Sequence, residues 1–519
     1  MIVDVVWKDT TGSTQSLSVD EDAAVLDLST RDISLISLST LSKLKRLSAI
    51  SLRGNKLASI DLGPLDACPE LRALDLSGNR IMDLDLSLLA SCRELRVLDL
   101  ENNSLETLYL DSLGQCLDLE ILDLSYNRLH EIDLTPLSAC IELRRLDIDH
   151  NRLEQIDVLA LSSCKNLKNL CLSANPLKHL DVSPLQSCPD LTTLRISDTH
   201  LSSVSLDGLQ GCTALQLLEL DQNRLIEIDL APLSSCKELE SLSLSGNELE
   251  SIDFTPLGSC VSLKTLNLYG NRIVKIDLGP LSECRKLERL ALNGNKIKEI
   301  DVSPLRDSSA LESLLLFQND IYEIEIAPLA GCISLQVFDI ANNHLETIDI
   351  GSLSNCIGLR EFDISENHLK FIDLSPLERC PRLELVRLDG NSLKEISLGP
   401  LGKVLDLERI YLSHNRLERI NLGPLTYCKK LEVLSISKNG IANIDLLPLE
   451  SCINLSVLDI ADNPLSSIDV SPLFSCHSLR NLDLPQEADV SAKGVLRETT
   501  DAPHAIRELI ADDIIKWIE

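Results

Sequence analysis

The feature that most constrains the fold of this 519-residue chain is a strict 24-residue period. One unit reads L-x-x-L-x-L-x-x-N-x-L-x-x-I-D-L-x-P-L-x-x-C-x-x, and no insertion interrupts the units from Leu47 to Leu484. A unit this short cannot bury its own leucines, so the period predicts coils that stack on a shared core. Only Thr199 breaks the row of Asn at 55, 79, 103, 127, 151, 175, 223, 247, 271, 295, 319, 343, 367, 391, 415, 439 and 463.

The first half of each unit predicts a strand followed by a turn. Side chains alternate along a strand, so Leu122 and Leu124 face inward while Asp123 and Ser125 face outward. Leu129, past the turn, is also expected inside. The Asn amide is expected to bond backbone groups where the chain leaves the strand, and this bond would recur in every unit.

The second half of each unit predicts one or two helical turns, partly 3₁₀. Ser183-Pro184 is typical, because a hydroxyl cap followed by Pro favours a helix start. The acid in the middle of I-D-L, such as Asp133 or Asp181, defines a row that we call the flank acids. We expect them to be solvated and to favour the N-terminal end of the next short helix, with calcium bridging as the alternative.

The motif L-x-x-L-x-L-x-x-N-x-L resembles the signature of the leucine-rich repeat superfamily, over roughly residues 23 to 484. The resemblance implies an α/β solenoid, an arc with a parallel β-sheet on the concave face and short helical, 3₁₀ or extended segments on the convex face. Relatives include regulatory subunits, receptors and inhibitors. The resemblance therefore implies binding without selecting one function.

The ends of a solenoid need caps, which predicts three regions. Residues 1–22 form an N-terminal cap, resembling a hairpin, that uses Val3 and Val5. Residues 23–484 form an array of about 20 units, and residues 485–519 form a C-terminal cap. This cap is predicted to contain a terminal helix that begins near Asp501 or Pro503, with apolar residues at helical spacing through Ile518. The helix covers the last unit or docks a partner through Trp517.

The 17 cysteines predict a reducing compartment. Cys171 is the one outside the repeat register, and we expect it to be exposed because it takes an outward strand position. Ser308 and Val404 replace Cys at two repeat positions, which indicates a small buried slot rather than a metal site or a disulfide. The repeat cysteines are 68, 92, 116, 140, 164, 188, 212, 236, 260, 284, 332, 356, 380, 428, 452 and 476.

Charge excludes several classes of partner. The formal net charge of −32 repels nucleic acid and anionic lipid. No run of about 18 apolar residues is present to span a membrane, and the acidic N-terminus lacks a secretion signal. The sequence predicts a soluble, cytoplasmic chain that is monomeric by itself.

Three zones of outward strand positions are candidates for partner binding. The first is an acidic row, which Arg80, Arg128 and Arg152 are expected to neutralise unless a basic partner segment sits there. The middle zone is unusual in placing apolar and aromatic side chains on a polar face, as binding hot spots do. The third mixes both charges, with Asp339 and Asp363 nearby. The zones are Asp75, Asp99, Asp123 and Asp147; Asn267, Tyr269, Asn293, Leu315 and Phe317; and Arg387, Arg409 and Tyr411.

Catalysis is not predicted. The sequence contains no P-loop, G-x-G-x-x-G after a strand, G-x-S-x-G, H-E-x-x-H or C-x-x-C motif. The adjacent His344 and His368 are an alternative metal or pH-sensing pair, but no third ligand is evident. We therefore expect no catalytic, cofactor-binding or metal-binding residues. The predicted function is a scaffold or adaptor that binds another protein, and the alternative is a regulatory or substrate-recognition subunit of an enzyme complex.

Overall fold

In each repeat, the residue before L-x-L and the first two residues of that motif form a three-residue strand, such as Ile121–Asp123, in the computed structural model, which describes residues 2–44 and 46–519. Leu122, Leu124 and Leu129 are fully buried, as predicted. The chain divides into two compact units, residues 1–263 and 264–519. In each unit the strands form a parallel sheet with a register shift of 24 residues, for example Leu122 opposite Leu146. The predicted solenoid fold is confirmed.

The sheet of the first unit contains Val25–Asp27, Ala49–Ser51, Ala73–Asp75, Val97–Asp99, Ile121–Asp123, Arg145–Asp147, Asn169–Cys171, Thr193–Arg195, Leu217–Glu219 and Ser241–Ser243. The sheet of the second unit contains Thr265–Asn267, Arg289–Ala291, Ser313–Leu315, Val337–Asp339, Glu361–Asp363, Leu385–Arg387, Arg409–Tyr411, Val433–Ser435, Val457–Asp459 and Asn481–Asp483.

The second half of each repeat forms a 3₁₀ segment. In the first unit these are Ser39–Lys43, Gly63–Ala67, Leu86–Ser91, Asp111–Gln115, Thr135–Ala139, Leu159–Ser163, Ser183–Ser187, Asp207–Gly211, Ala231–Ser235 and Thr255–Ser259. In the second unit they are Gly279–Glu283, Ser303–Asp307, Ala327–Gly331, Gly351–Asn355, Ser375–Arg379, Pro400–Lys403, Gly423–Tyr427, Leu447–Ser451 and Ser471–Ser475, with Gly494–Leu496 beyond the repeats.

The flank acids begin these 3₁₀ segments. Asp133 Oδ1 accepts the backbone N–H of Thr135 at 2.8 Å, and Asp181 Oδ1 accepts that of Ser183 at 2.8 Å. The hydroxyl and N–H of Thr135 lower the pKa of Asp133. The expected hydroxyl cap is therefore wrong at Ser183. This residue is the first of the 3₁₀ segment, so its own N–H needs an acceptor, which the acid two residues earlier supplies.

The repeated Asn residues form a ladder of buried hydrogen bonds, as predicted. The side-chain amide of Asn127 donates to the carbonyl oxygens of Leu100 at 2.9 Å and Leu124 at 3.1 Å. Its Oδ1 accepts the N–H of Leu105 at 3.1 Å. Because the partners belong to both the same and the preceding coil, each Asn fixes its own turn and joins it to its neighbour.

Thr199 keeps the ladder connected although it breaks the Asn row. Its hydroxyl donates to Asn223 Oδ1 at 2.7 Å, and its backbone N–H donates to the same oxygen at 3.1 Å. Asn223 Oδ1 also accepts the N–H of Leu201 at 3.1 Å. A shorter polar side chain is tolerated because the Asn of the next coil reaches back to it.

The cysteines of the repeat are buried free thiols. Cys140 Sγ donates to the carbonyl oxygen of Leu113 at 3.3 Å, which joins successive coils. Burial raises the pKa of Cys140 to about 11. The expectation of an exposed Cys171 is wrong. This thiol is only 6% exposed, and burial raises its pKa to about 12, because adjacent strands of a sheet this tight cover a small side chain.

At the N-terminus, strands Ile2–Asp9 and Thr14–Asp20 pair as an antiparallel hairpin, and Ile33–Ile36 joins the free edge of the first strand. Val3 and Val5, on the inward side of the first strand, are buried. This hairpin lies where the sequence predicts the N-terminal cap.

The C-terminal helix is shorter than predicted. It spans His504–Ala511, and Asp513 then takes a left-handed φ of 56° that no helix continues through. The following residues form a strand, Lys516–Ile518, parallel to Asp489–Lys493, which itself pairs with Ser467–Asp469. Trp517 lies in this strand, with its ring 6.4 Å from that of Phe474. Among the described residues, no helix is long and apolar enough to cross a membrane.

Substitution of one ladder residue tests the importance of the buried amides. We expect Asn127→Ala to lower the free energy of unfolding by about 1–3 kcal/mol, because it leaves the Leu105 N–H buried without an acceptor. Urea unfolding followed by circular dichroism measures the change. Asn169→Ala, at a partly exposed strand position, is the matched control. Equal losses in the two variants would contradict the assignment.

Candidate functional site

In each of the two compact units, the outward side chains at the ends of the strands form a surface that we call the strand face. It consists of the last residue of each strand and the residue two positions further on, such as Leu315 and Phe317. Leucines, ladder Asn, cysteines and flank acids are already used by the fold. Strand-face residues vary from coil to coil, so they are the part of each repeat that can encode a partner.

In the first unit, the acidic row is brought together as predicted. Asp75, Asp99, Asp123 and Asp147 occupy neighbouring positions on four consecutive strands. Burial, together with the charges of Asp123 and Asp75, raises the pKa of Asp99 to about 6. The row therefore holds an acid that is short of compensating charge.

The predicted neutralisation of this row by Arg80, Arg128 and Arg152 is wrong for its most buried end. Arg145 bridges Asp123 and Asp147, with its Nη2 3.0 Å from a carboxylate oxygen of each. Arg145 begins its strand, and its long side chain lies along the sheet between two neighbouring acids. The sequence offered a signal, since ten of the twenty strands begin with an aliphatic residue and only three, at 145, 289 and 409, begin with Arg.

In the second unit, the middle zone forms a patch on neighbouring strands. Asn267, Ala291 and Leu315 lie side by side. Two residues later, the Gly294 N–H donates to the Phe317 carbonyl, which places Asn293 beside Phe317. Tyr269 is 45% exposed, and Leu315 and Phe317 are partly exposed. We call Tyr269, Leu315 and Phe317 the apolar patch.

Asn293 and Gly294 have features that the sequence did not reveal. Asn293 is only 4% exposed, and its Oδ1 has no hydrogen-bond partner. Gly294 takes a φ of +66°, and the Tyr269 ring lies 3.1 Å from where a Cβ would stand. Glycine thus permits both the left-handed turn and the close approach of the ring. An unpaired buried amide oxygen costs about 1–3 kcal/mol.

The third zone is held together by Arg387. Its guanidinium carbon lies 4.8 Å from the centroid of the Tyr411 ring, and its Nη1 lies 3.7 Å from Asp363 Oδ2. Its Nε also lies 3.7 Å from Oδ1 of Asp389, an acid outside the zones predicted from the sequence. Arg409 is partly exposed at the start of its strand, beside Leu385.

Asp339 joins the middle and third zones. It lies directly opposite Leu315 on one side and Asp363 on the other. Its carboxylate accepts the N–H of Ala341 at 3.0 Å. Burial is the largest influence on its pKa, which rises to about 7, and the charge of Asp363 adds to the rise. The two zones that the sequence separated are therefore continuous.

The paired histidines lie beside the turn rather than on the strand face. The His344 and His368 rings stack with centroids 5.6 Å apart, and Tyr322 lies 5.0 Å from His344. His344 Nε2 is 3.7 Å from Asp320 Oδ1. Within residues 2–44 and 46–519, no group of three or more His, Cys, Asp or Glu side chains is placed to hold a metal ion.

This architecture defines a repeat solenoid. The family model for the leucine-rich repeat matches residues 23–81, 69–129, 141–201, 165–225, 189–249, 261–321, 333–393 and 381–441. A model for two copies of the repeat matches residues 118–161 and 429–475. The chain therefore belongs to the leucine-rich repeat family, whose fold generally serves as a scaffold for protein interactions. No curated protein sequence matches the chain.

Solved structures share the fold at low sequence identity. A TDR receptor aligns with a TM-score of 0.74 at 19% identity, covering 91% of this chain and 85% of that chain. The ectodomain of the Arabidopsis receptor kinase HAESA, in complex with an IDA peptide hormone ligand, aligns with 0.70 at 21% identity, covering 94% and 82%. The plant peptide hormone receptor RGFR1, in complex with RGF2, aligns with 0.67 at 21% identity, covering 96% and 85%.

Asp99 gives a pH-dependent test of the acidic row. Folding raises the pKa of the Asp99 carboxyl, so this group stabilises the folded state only while it is protonated. That stabilisation is lost as the pH rises from about 4 through about 6. We expect Asp99→Asn to raise Tm at pH 7.5 by roughly 1–3 °C and to change it little at pH 4. Differential scanning calorimetry measures both. The exposed Asp118→Asn is the control, and an equal response in both variants would refute the interpretation.

Proposed function

We propose that this chain is a protein-binding scaffold or adaptor that holds a segment of another protein on its strand face and performs no chemistry of its own. The observation that carries the proposal is the apolar patch of Tyr269, Leu315 and Phe317, beside the unpaired amide oxygen of Asn293. Apolar surface and an unpaired acceptor both cost free energy in the unbound state. A partner that covers them gains from both.

The division of labour within the repeat supports the proposal. Ladder residues such as Asn127 and Cys140 bond backbone groups of adjacent coils, and flank acids such as Asp133 begin the 3₁₀ segments. The same frame recurs in nearly every coil, whereas the strand face changes. A surface that varies over a constant frame is suited to recognising one partner rather than to carrying out a reaction.

Two of the similar structures supply further support. The HAESA ectodomain is in complex with a peptide hormone ligand, and the peptide hormone receptor RGFR1 is in complex with RGF2. A peptide or protein segment is accordingly the partner that we propose here. We also propose that the free chain is monomeric and binds neither nucleic acid nor membranes, because its net charge of −32 repels polyanions.

A cytoplasmic location is part of the proposal. Its support is the set of 17 cysteines, all of them buried and free. Many unpaired thiols on neighbouring coils are compatible with a reducing compartment. Burial also protects them, since it raises the pKa of Cys164 and Cys212 to about 12 and leaves little reactive thiolate.

Thiol titration tests the proposed cytoplasmic location. We expect the chain from its natural source to yield 17 free thiols after unfolding in guanidinium without reductant, and to react slowly with an aromatic disulfide reagent while folded. Exhaustive reduction before unfolding is the control. A lower thiol count that reduction restores would show disulfide formation and argue against a reducing compartment.

Partner binding is tested by a double substitution on the apolar patch. We expect Leu315→Asp/Phe317→Asp to abolish capture of one specific protein from the native lysate, because two charges replace apolar contact area. Leu447→Asp/Phe371→Asp is the matched control, since these residues are 57% and 62% exposed and lie off the strand face. Quantitative mass spectrometry compares the captured proteins, and Tm is measured for each variant. Identical partners for wild type and both variants would refute the use of this patch.

A further inference from the structure

The geometry points to one recognition site in the second unit, formed by Asn293, Leu315, Phe317 and Asp339, that takes an extended peptide segment of a partner protein with a basic side chain close to a bulky apolar one. The apolar side chain packs on Leu315 and Phe317, and the Lys or Arg side chain reaches the Asp339 carboxylate. This inference rests on the proposed function and adds the chemistry of the partner.

The inference is supported first by the close approach of an apolar residue, Leu315, to an acidic one, Asp339. Leu315 and Asp339 occupy paired positions on neighbouring parallel strands, about 4.8 Å apart. Phe317 lies two residues after Leu315 on the same side of its coil. A ligand on this surface therefore meets an apolar platform and a carboxylate within one strand spacing. A basic residue next to an apolar one matches both.

The fold compensates the charge of Asp339 only weakly. Its neighbours in the sheet offer little help: Ser313–Leu315 carries no titratable group, and Glu361 and Asp363 are both acids. Arg387 lowers the pKa of Asp339 but lies in contact with Asp363, Asp389 and the Tyr411 ring. Charge complementarity thus selects a cation as the occupant.

The pKa of Asp339, raised to about 7 by burial, adds a pH signature. At pH 6 the carboxyl is largely protonated and attracts a cation weakly. At pH 8 it is largely ionised. A bound Lys or Arg favours the ionised form, so binding releases a proton and strengthens as pH rises through 7.

The unpaired oxygen of Asn293 supplies a place for the ligand backbone. This Oδ1 is covered in the free protein, and Asn293 lies between Tyr269 and Phe317 on successive coils. A ligand N–H that bonds to this oxygen removes the cost of leaving it unpaired. An extended peptide presents a backbone N–H about every second residue on one side, which satisfies the oxygen without demanding a particular side chain.

Spacing sets the length of the segment. Asn293 is two strand spacings from Asp339 and two residues further along its own coil. Their separation is therefore about 12 Å, and an extended chain rises about 3.3 Å per residue. The N–H bonded to Asn293 and the basic side chain at Asp339 are therefore separated by about three residues. The apolar side chain lies between them, over Leu315 and Phe317.

Peptide selection with the full-length chain tests the inference. A random twelve-residue phage-display library is panned at pH 8 against wild type. We expect enriched peptides to carry Lys or Arg within about three residues of a bulky apolar side chain. Enrichment of acidic peptides, of peptides without a basic residue, or of none would overturn the inference.

Affinity of the best synthetic peptide then assigns the charge contact. We expect Asp339→Asn to weaken binding at pH 8 about tenfold, whereas Asp307→Asn, at an exposed position in a 3₁₀ segment, leaves it unchanged. Wild-type affinity should rise between pH 6 and pH 8, and the rise should disappear in Asp339→Asn. Fluorescence anisotropy measures these values. Equal affinities in the two variants, or a wild-type affinity independent of pH, would overturn the role of Asp339.

Asn293→Leu separates recognition from structure. Leu removes the unpaired oxygen, so we expect Tm to stay level or rise while peptide affinity falls about fivefold or more. A lower Tm with unchanged affinity would show that the amide serves only the fold. If capture of the natural partner depends on Leu315 and Phe317 but not on Asp339, the scaffold function stands and this inference fails. If it depends on none of them, both fail.

Discussion

The hydrogen bond between a buried Asn amide and the backbone of the preceding coil is the interaction on which the rest of the structure depends. Leucines bring the coils together, but apolar contact alone does not define where one coil sits on the next, because the hydrophobic effect is non-directional. The amide of Asn127 bonds carbonyls of both coils and accepts an N–H, which fixes turn and register together. The ladder tolerates the replacement of Asn by Thr199, because Asn223 of the following coil accepts a hydrogen bond from the Thr199 hydroxyl.

Fixed register is also what gives the strand face its chemistry. Equivalent side chains on adjacent strands stand in rows, so like charges meet unless another residue intervenes. In the first unit, Arg145 lies between two acids, while Asp99 remains without such a partner and its pKa rises to about 6. In the second unit, the same geometry places Asp339 beside Leu315. Unfavourable charge contacts and exposed apolar surface therefore arise at strand-face positions, whose residues vary from repeat to repeat. These are the positions at which binding is proposed.

Much of the fold could be predicted from the sequence, because its causes are local and repeated. The inward leucines, the ladder role of Asn127 and the buried slot of Cys140 follow from residue type and period. Other features depended on neighbours distant in sequence. Cys171 is buried by adjacent strands, Arg145 rather than the expected arginines pairs with the acidic row, and the terminal helix ends at Ala511 because the chain turns into a strand. At the site, residue types indicated the apolar patch, whereas the unpaired oxygen of Asn293 is evident only in the three-dimensional structure.

By itself, the sequence determined the repeat unit, its solenoid fold and the residues that remain outside the frame, since a 24-residue period leaves one way to hide the leucines. The tertiary structure decided which side chains share an environment. It placed Asp339 between an apolar residue and a second acid, and it covered the amide oxygen of Asn293 without giving it a partner. The physical reason is that solvation and charge depend on all groups within a few ångströms, and in stacked coils most of those groups lie 24 residues away in the chain.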